Sequence, residues 1–172
     1  MKFFLTLFIF FFIISSPVTS EQKIVFVDMD RLVNVSKPGS SIFNQLKDIN
    51  NKNLDFLKKE EKKFKEKEKK LIVQKNIISE TDFKNKIDKL KFEINSYNQD
   101  RNKMIEEFNK LKVENTNNLL KLISPILAKY STENEISIIL QKKDLIIGKK
   151  ELDITDEIIT IINDEIKEFK IK

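Results

Sequence analysis

Phe83-Lys-Asn-Lys-Ile87-Asp-Lys-Leu90-Lys-Phe-Glu-Ile94-Asn-Ser-Tyr97 is the stretch that decides the fold. Its apolar residues return every three or four positions, the period of one face of an α-helix. The series continues through Met104, Phe108, Leu111 and Leu122, with Arg101, Asn115 and Asn118 as polar interruptions. A stripe kept up over that length fits a heptad seam and asks for a partner helix. The segment just before it supplies one, with a thinner stripe of Phe43, Leu46, Leu57, Phe64, Leu71 and Ile78. One position of that stripe is repeatedly polar, at Asn50, Asn53, Glu60, Lys67 and Gln74.

From Ile42 to Ile123 there is neither Gly nor Pro. A turn is expected near 77–82, where Ser79 is placed to cap a second helix and Asp82 follows three residues later. Residues 42–123 then read as an antiparallel helical hairpin. Its two helices, about 36 and 40 residues long, would each extend about 55–60 Å at 1.5 Å per residue.

Both flanks differ in character. Lys23-Ile24-Val25-Phe26-Val27-Asp28-Met29 is short, β-branched and apolar on both alternating faces, the pattern of a strand covered on two sides. Asp30 to Val35 allows one or two helical turns, and Ser36-Lys37-Pro38-Gly39 reads as a break. After the hairpin, Ser124-Pro125 is expected to open a new helix running to about Asn134. Ile136-Ser-Ile138-Ile139-Leu140 and Leu145-Ile-Ile147 read as two strands of a β-hairpin joined by Gln141 to Asp144. Asp153-Ile-Thr-Asp156 starts a last helix with Ile158, Ile159, Ile161, Ile162 and Ile166 at helical spacing. The fold class is α+β: a small strand-containing body from residues 21–41 and 124–172, and a long coiled-coil hairpin inserted between them. So few short elements close only a small core. Ile24, Val25, Phe26, Val27, Ile136, Ile138, Ile139, Leu140, Leu145 and Ile147 are therefore expected to join copies of the chain through the body.

The beginning of the chain speaks to its destination. Lys2 is followed by a nearly unbroken apolar run from Phe3 to Ile14, closed by Ser15-Ser16-Pro17 and the small residues Val18-Thr19-Ser20. This is the layout of a cleavable secretory signal peptide over residues 1–20. The run is shorter than the roughly 20 residues a membrane-spanning helix needs. Residues 42–117 carry 19 basic and 14 acidic residues, while 118–172 carry 9 and 10, so the excess positive charge sits on the hairpin. In an exported protein such a surface suits acidic protein or anionic lipid, and nucleic acid is a poor partner there.

Catalytic chemistry has little to build on. The chain holds no His, no Cys and only two Gly, which removes the commonest general base, thiol nucleophiles, most zinc sites and glycine-rich phosphate loops. Asp153 and Asp156 fit better as helix-start residues favoured by the helix dipole. No enzyme activity, cofactor or metal is expected. The runs of Lys and Glu from Lys58 to Lys70 are first of all a solvated helical face, whose i,i+4 pairs each add about 0.3 kcal/mol. Their sharper reading is a basic arm that draws in acidic or membrane-bound partners. Phe56, Phe64, Leu71, Ile78, Phe83, Ile87 and Leu90 are the candidate residues of such an arm for holding a non-native chain.

Taken together, the pieces resemble the Skp/OmpH family of periplasmic outer-membrane-protein chaperones. The resemblance rests on the signal peptide, Lys23-Ile-Val-Phe-Val-Asp28, and the Gly39 turn ahead of a Lys/Glu-rich hairpin. It continues in Ile123-Ser-Pro-Ile126 with Lys129-Tyr130, Ile138-Ile-Leu140 and Asp153-Ile-Thr155, and covers residues 21–166. It implies a homotrimer whose strands share a central body and whose three arms enclose unfolded outer-membrane proteins, with no nucleotide. Lipopolysaccharide binding is associated with basic residues in some members. Gly148-Lys-Lys-Glu151 is more polar than the family pattern, which affects the end of the third strand. A structural or adaptor coiled-coil protein of the cell envelope is the alternative that the same features allow. A cytosolic prefoldin-like chaperone shares the layout but not the signal peptide.

Overall fold

The computed structural model describes residues 22–167 and 169–171. The expected signal peptide lies outside the described residues. The element order is β1 (Lys23–Val27), α1 (Met29–Val35), α2 (Lys37–Gln74), α3 (Glu80–Glu133), β2 (Ile136–Gln141) and α4 (Thr155–Glu165). Two single 3-10 turns, Lys142–Asp144 and Lys150–Leu152, lie between β2 and α4.

The hairpin of α2 and α3 dominates the molecule. At 1.5 Å per residue its helices span about 57 and 81 Å. The chain reverses over 75–79, which begins two residues before the expected window of 77–82 and overlaps it. Ser79 caps α3 as its spacing predicts: the Asp82 N–H donates to Ser79 Oγ at 3.1 Å, and that hydroxyl donates to Asp82 Oδ2 at 2.6 Å.

Both ends of the hairpin depart from expectation. α2 begins at Lys37, not near Ile42, because Ser36-Lys37-Pro38-Gly39 is a corner between two helices and not a loop. Buried Ser36 caps the new helix by accepting from the Gly39 N–H at 3.3 Å, and Pro38 sits in the first turn, where its missing N–H costs nothing. Gly39 is required by proximity: a Cβ there would lie 1.6 Å from the Val33 carbonyl oxygen of α1. At the other end no new helix starts at Ser124-Pro125, since α3 runs unbroken to Glu133 with Pro125 inside it. Lys121, Ser124 and Pro125 are exposed, so water can reach the carbonyl that the proline leaves without its helical bond. Leu119, Ile123 and Ile126 on the opposite face are buried and hold both halves in one line.

The body is assembled from both ends of the chain. β1 pairs with β2 in parallel, Ile24 opposite Ile138 through Val27 opposite Gln141, with a register shift after Lys23. Its other edge receives an isolated bridge from Phe26 to Asp153, where the Ile154 N–H donates to the Phe26 carbonyl at 3.0 Å. The expected β-hairpin is absent. Lys142–Asp144 wind into a 3-10 turn instead of a reversal, and Lys142 is anchored to Asp153 at 2.8 Å, so Leu145-Ile-Ile147 does not return along β2. Ile146 and Ile147 are left almost wholly exposed. Local apolarity marked this segment as a strand, but it did not specify the pairing that a strand needs.

The core joins Val25, Val27, Leu32, Ile42, Leu46, Leu119, Ile123, Ile126, Ile136, Ile154, Ile158 and Ile162. Polar clasps close it. Asp28 caps α1 by accepting from the Arg31 N–H at 2.9 Å, and its own N–H donates to Thr155 Oγ1 at 2.9 Å. Arg31 reaches Asp156 at 2.7 Å. The Thr155 hydroxyl and N–H both donate to Asp153 Oδ1. Burial by itself raises the Asp153 carboxyl, but the donors on Lys142 and Thr155 outweigh it and hold the group below its ordinary range.

Candidate functional site: the surface of the arm

The hairpin seam is only half closed. Phe83, Ile87, Leu90, Ile94, Tyr97, Met104, Phe108 and Leu111 of α3 face α2, each partly exposed. Leu122, expected in this series, points outward at 45% exposure. The stripe passes instead through Asn115, Leu119, Ile123 and Ile126, following the 3.6-residue period of a straight helix over the strict heptad. On α2 the opposing line is Leu46, Ile49, Asn53, Leu57, Glu60, Phe64, Leu71 and Gln74. Phe43 belongs to the outer face at 62% exposure, and Ile42 takes the inner position.

With Asn53, Glu60 and Gln74 in the seam, parts of it are joined by polar clasps. Phe64 and Tyr97 meet edge to face with ring centroids 5.3 Å apart. The Tyr97 hydroxyl donates to Glu61 Oε1 at 3.2 Å, and desolvation, then Glu61, raises the phenol above its ordinary value. Lys67 bridges to Glu93 at 2.5 Å while lying 5.8 Å from the Phe64 ring centre, and Lys86 donates to Gln74 at 2.8 Å.

Between these clasps the surface opens into shallow grooves with apolar floors. Phe56, Phe64, Phe92 and Tyr97 line one, with Asp100 and Arg101 at its edge. Nearer the tip, Leu71 and Leu90 floor another, ringed by Lys67, Lys70, Lys86 and Lys89. Towards the body, Ile49, Met104, Phe108 and Leu111 floor a third beside Glu107.

Of the seven arm residues proposed from sequence, Phe64, Leu71, Phe83, Ile87 and Leu90 are seam residues, half-covered by the hairpin itself, and half-buried Ile78 lies in the reversal at 75–79. Phe56 alone among them is exposed, at 47%. Phe92, Ile72, Val73 and Ile77 were missed, and their exposures lie between 68% and 74%. The signal that finds such residues is apolarity off the stripe: Phe92 falls between Leu90 and Ile94, on neither seam position. In the body, Val25, Phe26, Val27 and Ile136 are buried, Ile139 and Leu145 half-buried, and Ile24, Ile138, Leu140 and Ile147 exposed. Exposed Ile146 joins the last group.

Among the described residues no cluster of acidic side chains could hold a metal ion, and no helix is long and apolar enough to cross a membrane.

A small strand body carries a long helical arm whose seam is incompletely sealed. The chain belongs to the OmpH-like outer membrane protein family, whose pattern matches residues 23–162. No curated protein matches it in sequence. Its fold is similar to that of an OmpH-like candidate outer membrane chaperone from Caulobacter crescentus CB15. The TM-score is 0.81 at 15% identity, over 91% of this chain and 92% of the other.

Proposed function

We propose that this protein is an ATP-independent periplasmic holdase that keeps unfolded outer-membrane proteins from aggregating before they insert. The observation that carries this reading is the arm: its apolar side chains are spread over open grooves and bordered by lysines. Phe56, Phe92, Ile72, Val73 and Ile77 are free to touch a non-native chain. The lysines around Leu71 and Leu90 suit acidic client residues, an anionic membrane surface or lipopolysaccharide. Many weak contacts of this kind hold a client without giving it one geometry.

Residues 21–41 and 124–172 form the oligomerisation body and 42–123 the arm. Exposed Ile138, Leu140, Ile146 and Ile147 on one small body support a homotrimer, since a monomer leaves them in water. The apolar run of residues 3–14 supports export through a cleaved signal peptide. Nothing in the reading needs catalysis or a cofactor.

The experiment is direct. Purified residues 21–172 should sediment as a trimer at micromolar concentration and suppress aggregation of a urea-denatured outer-membrane protein without ATP. No suppression at one trimer per client would overturn the holdase reading, and a monomer would overturn the assembly.

A further inference from the structure

The chain continues past α4 as Ile166-Lys-Glu-Phe169-Lys-Ile171, apolar and charged residues nearly in alternation, beyond the last residue matched by the family pattern. Residues 169–171 of this tail lie along the root of α2. Phe169 and Ile171 pack against the core cluster, and the groove they enter is walled by Val35, Ser41 and Gln45. Gln45 reads the main chain of the tail in both directions: Nε2 donates to the Phe169 carbonyl at 2.7 Å, and Oε1 accepts from the Ile171 N–H at 3.2 Å. Ser41 Oγ donates to the same Phe169 carbonyl at 3.1 Å and also accepts from Gln45 Nε2 at 3.1 Å.

An extended chain presents the carbonyl of residue i and the N–H of residue i+2 on one side, with side chains i and i+2 on one face. One side-chain amide is thus acting as a neighbouring strand would. Contacts to the main chain carry no sequence preference; the two apolar positions two residues apart supply the selection.

From this geometry we infer that the groove at the root of α2 is a docking site for an extended peptide with alternating apolar residues, occupied in cis by the chain's own tail. Membrane-barrel strands alternate in this way. A strand-like segment of an unfolded client is therefore the occupant that competes with the tail, an inference that rests on the holdase reading above. The tail keeps the site filled when no client is present and yields it when one arrives.

The probe is a fluorescently labelled heptapeptide with the sequence of residues 166–172, titrated into the full mature chain. A tethered competitor acts at an effective concentration on the order of millimolar, so releasing it should tighten apparent peptide affinity by about ten-fold. Phe169→Ser/Ile171→Ser supplies the release, and Gln45→Ala added to it should return binding to the wild-type level or below. Equal binding to wild type and released variant, indifference to Gln45→Ala, or equal binding of a peptide with its apolar residues made adjacent would each overturn the site.

If the double variant does not fold, Gln45→Ala in the otherwise native chain is the second route. Amide exchange at Ile171 should then accelerate by about ten-fold, as expected when a local contact opens; unchanged exchange overturns the docking. Aggregation suppression is measured on the same preparations. Full suppression with no peptide binding refutes the groove and leaves the holdase, whereas peptide binding with no suppression refutes the holdase and confines the groove to self-docking.

Discussion

The body and the arm are made from one chain under two different regimes of burial. Among the described residues, all 13 buried hydrophobic side chains lie in residues 25–46 or 119–162. Between Leu46 and Asn115, by contrast, no described residue is buried; the helices there meet through half-covered side chains, the Lys67–Glu93 ion pair and a few hydrogen bonds. Hydrophobic stabilisation scales with the area removed from water, so the body holds most of the folding free energy. The arm holds little of its own and inherits its alignment from the body, where Leu46 and Leu119 clamp its root. A segment with few buried contacts opens locally at low cost. That difference suits a holdase, because the element that must adapt to varied clients is also the one least committed to itself.

Paired truncations should break or sharpen this contrast first. Ile123→Ala removes a fully buried side chain and should cost about 2–5 kcal/mol of global stability in urea unfolding. Leu90→Ala in the seam should cost about 1 kcal/mol or less, its side chain being already half in water. Equal costs would mean that arm and body unfold as one cooperative unit.

A smaller effect belongs to the clasp between Lys142 and Asp153. The folded-state carboxyl of Asp153 is depressed, so its contribution is present above the unfolded value, near 3.9, and is lost as pH falls through the folded value. Asp153→Asn should therefore lower stability at neutral pH and flatten the acid limb of the urea midpoint against pH below about pH 4. An acid limb identical to wild type would show that the clasp does not couple to folding.

The smallest change in stability should come from the arm's outer face. Phe56→Ser/Phe92→Ser removes two exposed rings and should leave stability within about 0.5 kcal/mol. Client aggregation should nevertheless be suppressed less well, while sedimentation stays unchanged. Undiminished suppression would move the client surface elsewhere on the arm.

Much of this architecture was legible in the residues because it is local. The period of Phe83, Ile87, Leu90, Ile94 and Tyr97 is a helical face wherever it is placed, and Ser79 with Asp82 is a cap wherever a helix begins. The exceptions share a cause. Pro125 read as a helix start because its lost hydrogen bond is a local cost, whereas the packing of Leu119, Ile123 and Ile126 that overrides it comes from distant parts of the chain. Leu145-Ile-Ile147 read as a strand because it is apolar, yet the 3-10 turn at Lys142–Asp144, anchored through Lys142 to the distant Asp153, carries it away from the open edge of β2. Phe43 and Leu122 were assigned by a strict heptad that the straight helix does not keep.

By itself, then, the sequence determined a charged helical hairpin carried between two apolar ends, an excess of positive charge on that hairpin, and the family pattern spread across those ends. Period, capping and net charge depend only on neighbours along the chain. Tertiary structure decided which apolar residues are spent on the core and which remain on the surface. It also decided that β1 and β2 lie parallel, and that Gln45 holds the tail across 124 residues of sequence. Those outcomes are competitions between surfaces far apart in the chain, and only the folded arrangement brings the competitors together.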